Sequence, residues 1–298
     1  MRTFAYLSMI SLALLVSACG GSDGGAPGAP TGLLVAPGPV AGTAVVTFTA
    51  PADVGASAIT GYTVTASPGG ITATGTASPI SMTGLAPRIA YTYSVVATNA
   101  SGNSSAASSG SLRFYDVVET FHEPMTQPND TIFTGTFTFD GTSKTVTGLT
   151  GSITQSMTKI GGVYASPMTT VALANQLSAE PATLGGVTGL LVTTFALATT
   201  NTFDPSGFAP GGTQYYGLSA GAPNPKAGGV GNAYAMVFVN TTDPTAAIAQ
   251  AQIDKLAYGD CTAGGMMMSS CMTGTTVAGY GRKGTMNGEP VSQVVTER

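Results

Sequence analysis

The sequence predicts an all-β chain, a first β-sandwich followed by a second β-sandwich or open barrel with one packed helix. Three observations carry this. Short runs alternating apolar with polar residues, the period of a strand with one buried face, recur along most of the 298 residues. Turn-forming clusters rich in the 41 glycines and 18 prolines punctuate those runs. Helical periodicity with start and stop signals shows clearly in one place, near residues 244–257.

Composition sets the outer limits. With 43 % hydrophobic residues the chain can bury cores, yet only 8 % are charged, against roughly 25 % in an ordinary soluble domain. Ten basic residues against fourteen acidic ones give a net charge of −4, which excludes a nucleic-acid surface. A single histidine excludes any multi-histidine metal site.

The first element is a leader. Residues 3–16 are an apolar stretch preceded by Arg2, too short for the roughly 20 residues that span a bilayer, as in a signal-peptide core. The stretch closes on Val16-Ser17-Ala18-Cys19. Small residues before a cysteine resemble the bacterial lipoprotein signal. That resemblance implies a diacylglycerol on the Cys19 thiol, cleavage after Ala18 (residues 1–18 removed) and acylation of the new amine. Gly20, in place of the aspartate linked with inner-membrane retention, implies the outer membrane. Each buried CH₂ contributes about 0.8 kcal/mol, so more than one acyl chain gives lasting anchorage. Residues 19–30, mostly Gly, Ser, Ala and Pro, read as a flexible tether. Cys261 and Cys271 then remain in an oxidising compartment, separated by nine residues. A structural disulfide between them would contribute roughly 2–3 kcal/mol, and their spacing does not fit a CxxC redox or zinc pair.

Residues 28–114 form the first β unit. Alternating runs fall at Thr43–Thr49, Ile59–Ala66 and Ile89–Ala97. The quoted segments are Ala29-Pro30-Thr31-Gly32-Leu33, Val45-Val46-Thr47-Phe48-Thr49-Ala50-Pro51, Ile59-Thr60-Gly61-Tyr62-Thr63-Val64, Leu85-Ala86-Pro87, Tyr91-Thr92-Tyr93-Ser94-Val95 and Ala97-Thr98-Asn99. With this spacing they resemble a fibronectin type III domain of bacterial exported proteins. The resemblance implies a β-sandwich with Tyr91 as its tyrosine corner, hydroxyl to backbone and ring inward. Tyr93, Val95 and Ala97 should share the Tyr91 face. Phe48 stands where the family usually has a core tryptophan, a loss of ring area that leaves the topology intact. No Arg-Gly-Asp triplet occurs, so integrin-style adhesion has no support.

Residues 115–298 form the second unit. Predicted strands are Tyr115–Phe121, Ile132–Phe139, Lys144–Thr150, Ser152–Thr158, Leu190–Leu197, Gln214–Leu218, Asn232–Val239 and Val291–Thr296. Asp140-Gly141 signals a type I′ hairpin. A helix is expected over Pro244–Ala257, capped by Asp243, with Ala249, Ile253, Leu256 and Ala257 as its apolar stripe.

Motifs with chemical meaning are weak here. Gly217-Leu218-Ser219-Ala220-Gly221 matches a nucleophile elbow, but Pro223 and Pro225 forbid the helix it needs, and His122 lies upstream of it. Gly279-Tyr280-Gly281-Arg282-Lys283-Gly284 matches a dinucleotide-binding turn, yet a second turn follows where its helix should be. Asp116, Glu119, His122 and Glu123 gather the sole histidine with three carboxylates. The Val117-Val118 pair argues strand, which sets Asp116 and His122 on one face roughly 20 Å apart, too far for one metal. A half-exposed polar strand face is expected. Met266, Met267, Met268 and Met272 offer soft Cu(I) ligands but equally pack a loop. Asp140, Asp204, Asp243 and Asp260 sit in turn or cap contexts, without a calcium-loop motif.

No catalytic, cofactor-binding or metal-ligating residues are assigned. The resulting expectation is a non-enzymatic outer-membrane lipoprotein, bound to the membrane through lipidated Cys19. Its type III module would hold the C-terminal domain away from the bilayer, for binding an envelope protein or a polysaccharide. Tyr215, Tyr216 and Tyr280 are candidates for stacking on sugar rings. A secreted carbohydrate-active hydrolase, which would need two carboxylates across a cleft, and a structural subunit of an envelope assembly remain the alternatives.

Overall fold

The computed structural model describes residues 25–124, 126–156, 159–160, 163–164, 168–198, 233–260, 272–274 and 289–298. It is nearly all β. Cys19, Cys261, Cys271, Asp204, Tyr215, Tyr216, Tyr280, Met266–Met268 and both glycine motifs lie outside the described residues, as does the strand expected at Gln214–Leu218.

The first sandwich pairs β1 (Thr31–Pro37), β2 (Ala44–Thr49) and β5 (Ile80–Met82) in one sheet. Its other sheet holds β4 (Ile71–Gly75), β3 (Gly61–Ser67), β6 (Thr92–Asn99) and β7 (Gly102–Asn103), and β8 (Ala107–Ser108) also pairs with β6. Alternation explains the core. Val46, Val64, Ala66, Tyr93, Val95 and Ala97 are fully buried, and their chain neighbours face outward. Tyr91 is buried with them, and its hydroxyl accepts the Ala86 N–H at 2.9 Å, the tyrosine-corner geometry. Phe48 fills the tryptophan place by packing on Tyr62, ring centroids 4.7 Å apart.

Residues 25–30, expected as part of a flexible tether, are held by hydrogen bonds. Asn99 Nδ2 donates to Gly25 O at 2.7 Å, Ala56 N–H donates to the same oxygen at 2.9 Å, and Gly28 N–H donates to Asp53 O at 2.9 Å. Residues 25–30 are therefore pinned to the first sandwich.

The second sandwich faces two five-stranded sheets across one core. One sheet runs β14 (Thr170–Leu173), β11 (Thr145–Thr154), β10 (Thr131–Asp140), β9 (Leu112–His122) and β20 (Glu289–Glu297). The other runs β15 (Asn175–Leu184), β16 (Val187–Phe195), β17 (Ala233–Asn240), β18 (Ala257–Asp260) and β19 (Met272–Gly274). A separate two-stranded ribbon joins β12 (Lys159–Ile160) to β13 (Val163–Tyr164).

Several local expectations are corrected. The two strands expected at Lys144–Thr150 and Ser152–Thr158 are joined over Thr145–Thr154 as one strand, β11, with a register shift opposite Thr136–Thr138 and a left-handed Gly148 (φ 67°). Asp140-Gly141 does not make a two-residue turn. Asp140 Oδ1 accepts the N–H of Thr142 at 2.7 Å and of Ser143 at 3.3 Å, and Lys144 takes the positive φ of a four-residue loop. The helix contracts to α1 (Gln250–Ile253). Asp243 caps only a turn, accepting Thr245 N–H at 2.9 Å, and Ala257 starts β18. The buried Gln252 accepts the Ala249 N–H at 2.8 Å and donates to Leu184 O, so it is the side chain that docks α1 on β15.

Two glutamines stitch the sheets together. Gln293 on β20 accepts Phe238 N–H at 2.9 Å and donates to Phe238 O at 2.7 Å. Gln176 on β15 accepts Leu149 N–H at 2.8 Å and donates to Val146 O at 2.9 Å, where the β11 backbone bulges. Each amide satisfies one donor and one acceptor of a strand that lacks a neighbour there.

Candidate functional site

β9 belongs to both units and carries Asp116, Glu119 and His122, with Glu123 the first residue after it. It enters as part of the first sandwich, where Leu112 bridges Tyr91 and joins the first core. Three residues later Tyr115 is in the second core. No linker separates the two. Phe114, between them, packs 6.3 Å from the Tyr93 ring.

The outward face of β9 holds Asp116 and His122, with side chains 45 % and 43 % exposed, as expected of a half-exposed polar face. Asp116 pairs with Arg298 Nε at 3.2 Å. His122 Nδ1 lies 3.0 Å from Asp130 Oδ1, an oxygen that also accepts Glu123 N–H at 3.1 Å and Gln127 Nε2 at 3.0 Å. These bonds tie the chain between β9 and β10 around Asp130.

The two glutamates depart from that expectation. Glu119 and Glu123 are fully buried. Glu119 points inward between Val117 and Phe121, and neither of its carboxyl oxygens has a hydrogen-bond partner. Desolvation therefore holds its pKa well above the ordinary carboxylate value. Glu123 receives the Tyr258 hydroxyl on Oε1, while its Oε2 has no partner. Burial raises its pKa to about 7, against the lowering pull of the bonds from Tyr258 and Thr131. Glu119 and Glu123 share one face at a separation of roughly 13 Å for four residues of strand. That places them in a core, one above the other, rather than on opposite walls of a cleft. Among the described residues, no three of His, Cys, Asp and Glu gather closely enough to hold a metal ion.

Sequence reasoning missed Asp130, Tyr258 and Gln293 as partners of this strand. Asp130 had a local signal, an Asn129-Asp130 turn after Pro128. Tyr258 and Gln293 reach β9 through tertiary pairing alone.

The second feature is the junction. Arg298 N–H donates to Phe114 O at 3.0 Å, its guanidinium donates to Gly38 O at 3.0 Å, and its carbonyl accepts Arg88 N–H at 2.8 Å. Thr138 Oγ1 donates to Val35 O at 2.8 Å, and Arg113 pairs with Glu297 at 2.5 Å. A shallow groove lies beside these clamps, walled by Val40, Leu85, Ile89, Tyr91 and Phe114 with Arg298 at one side.

Comparison with curated proteins finds no match. Among solved structures, the chain is similar to titin kinase and its flanking domains at 14 % identity and TM-score 0.25, covering 44 % of this chain and 30 % of that one. It thus spans less than a third of that structure. It is also similar to the chicken CNTN1 FN1–FN3 domains at 10 % identity and TM-score 0.24, covering 92 % of this chain and 99 % of that one. The family model of the fibronectin type III domain matches residues 28–113, the stretch that builds the first sandwich. With its strand pairing, its tyrosine corner and this match, the first sandwich is a fibronectin type III domain.

Proposed function

We propose that the chain is an exported, lipid-anchored protein of the cell envelope whose type III module presents the second sandwich for binding or adhesion. The supporting observation is the uninterrupted passage of β9 from one core into the other, clamped by Arg298 and Thr138. A spacer is effective when it cannot fold back, and a junction without a linker meets that need. The pinned N-terminal segment adds a direction. Gly25 is held by Asn99 at the end of β6, whereas Tyr91, just before β6 begins, bridges Leu112 at the junction. The eight residues of β6 therefore hold Gly25 roughly 25 Å from the junction with the second sandwich, at about 3.3 Å per residue. The proposed attachment is lipidated Cys19, and the proposed ligand class is an envelope protein or polysaccharide.

A disulfide between Cys261 and Cys271 belongs to the same proposal. The last described pair of β18 and β19 is Asp260↔Met272, and the two cysteines are the next residues of each chain segment.

The test is protease shaving of intact cells producing the native chain and a Cys19→Ala form, each followed by membrane fractionation. The native protein is expected in the membrane fraction and the variant in the soluble fraction. Cys19→Ala protein that stays with the membrane overturns the anchor. Cleavage in intact cells supports external binding. Protection until the outer membrane is opened redirects the search to partners in the periplasm.

A further inference from the structure

We propose that the second sandwich carries an opening device that responds to rising pH: Glu119, enclosed and without a partner on β9, and Glu123, four residues on and just past the end of that strand, favour closed sheets while both carry protons. The proposal concerns regulation and does not depend on where the chain is anchored.

The geometry is unusual for a core. β9 lies between β10 and β20, so its inward residues stand inside the sandwich rather than at its margin. Glu119 pairs across the ladder with Phe133 on one side and Gln293 on the other. Gln293 has both amide atoms committed to Phe238 and cannot turn to a carboxylate without breaking those bonds. A neutral carboxylic acid in this place loses only its hydrogen bonds, whereas a carboxylate loses its hydration with nothing to replace it.

Among the described residues, the titratable and charged groups around the pair supply no counter-charge. From β18 comes Tyr258, which donates to Glu123. Asp130, just before β10, raises the Glu123 pKa further. β20 brings Glu289 opposite His122, and Glu297, which is engaged with Arg113. Tyr234 of β17 lies in the same core, while β11, β14 and β16 contain no titratable residue. Of the basic groups, Arg298 is bound to Asp116, Lys144 lies over the Phe139 ring and His122 faces outward to Asp130. Ionised Glu119 can therefore reach water only if β9 parts from the facing sheet.

Opening releases each proton that the closed state holds, so the opening constant should rise about tenfold per pH unit for each linked carboxyl. Glu123 contributes above the ordinary glutamate pKa and below about 7, and Glu119, which burial holds well above that ordinary value, adds to it. Amide hydrogen exchange of the full chain at pH 5.5, 6.5 and 7.5, corrected for intrinsic rates, reads this directly. Opening of β9, β10 and β20 is expected to rise up to about 100-fold per unit between the first two values. Strands β3 and β6 of the type III domain should stay within about threefold. Glu119→Gln should cut the rise to about tenfold per unit, and Glu119→Leu should do the same if the glutamine form does not fold. A flat response in the native chain, or an unchanged slope in a folded variant, overturns the proposal. Carboxyl carbon-13 shifts in the native protein give an independent reading, and Glu119 ionised in the folded state at pH 6 also overturns it.

Discussion

Replacing Gln293 by leucine tests whether the two sheets are held by side-chain amides as well as by apolar contact. Gln293 is 7 % exposed, and both ends of its amide are bonded to Phe238. Phe238 lies beyond Met236, the last β17 residue that pairs with β18, so its N–H and C=O on that side have no strand to meet. Leucine has nearly the same volume and offers neither a donor nor an acceptor. Two buried backbone groups would be left unsatisfied, at about 1–3 kcal/mol each. Leucine regains about 1 kcal/mol by burying apolar atoms without an amide to dehydrate. The net expectation is a loss of about 1–5 kcal/mol from the second sandwich. Urea unfolding should show it as a midpoint about 0.5–2.5 M lower at unchanged m, for an m near 2 kcal/mol/M. The type III domain serves as the internal control. A Gln293→Leu protein within about 0.5 kcal/mol of the parent would refute the reasoning, because backbone groups that cost nothing to strand were never dependent on this residue.

Three further outcomes follow from the same structure. Glu123, raised from 4.5 to about 7, binds its proton more tightly folded than unfolded, so its contribution is complete below pH 4.5 and lost as pH rises through 7. Unfolding free energies at pH 4.5 and 8 should differ by about 3 kcal/mol from this group, a difference that Glu123→Gln removes. Tyr91→Phe deletes the acceptor of Ala86 N–H and should cost the type III domain about 1–2 kcal/mol, with the second sandwich melting unchanged. Arg298→Ala breaks the contacts with Asp116 and Gly38 and should cost about 1–2 kcal/mol in all. Small-angle scattering should then show a wider spread of domain orientations, and an unchanged profile would mean that Thr138 and Phe114 hold the junction without it.

The first sandwich was legible because its strands are half-buried in register with a simple alternation, from Val46 to Ala97, and because Tyr91 marks a corner that few other residues can make. β9 was legible for the same reason, and β17, buried at every residue from Ala233 to Val239, was legible as a continuous apolar run. β15 was not, since it is an edge strand whose Ser178, Glu180 and Pro181 suit a margin that needs neither apolar alternation nor every N–H. Glycines also misled. Gly151 looks like a breaker between two strands, yet a Cβ there would stand 2.3 Å from Thr134 O, so close packing of β11 on β10 demands it. The helix shrank because a run this short is marginal as a helix even when rich in alanine, and the chain at Ala257 finds a better partner in β17.

The buried glutamates were illegible for a different reason. Polarity predicts the solvent face, and Asp116 and His122 obey, but Glu119 occupies an inward position fixed by the parity of the strand. Moving Glu119 outward would require a one-residue slip, which would expel Tyr115, Val117 and Phe121 from the core together. Three buried rings and branched chains outweigh one neutral carboxyl, so the register stands and the carboxyl stays inside protonated. This is also why β9 is the strand where a local event reaches furthest. Its N-terminal end is joined to the type III domain through Leu112 and Phe114, and its partner β20 ends in the Arg298 clamp. An ionisation that pulls β9 from the facing sheet therefore acts on both supports of the junction, and a stiff spacer would become a jointed one.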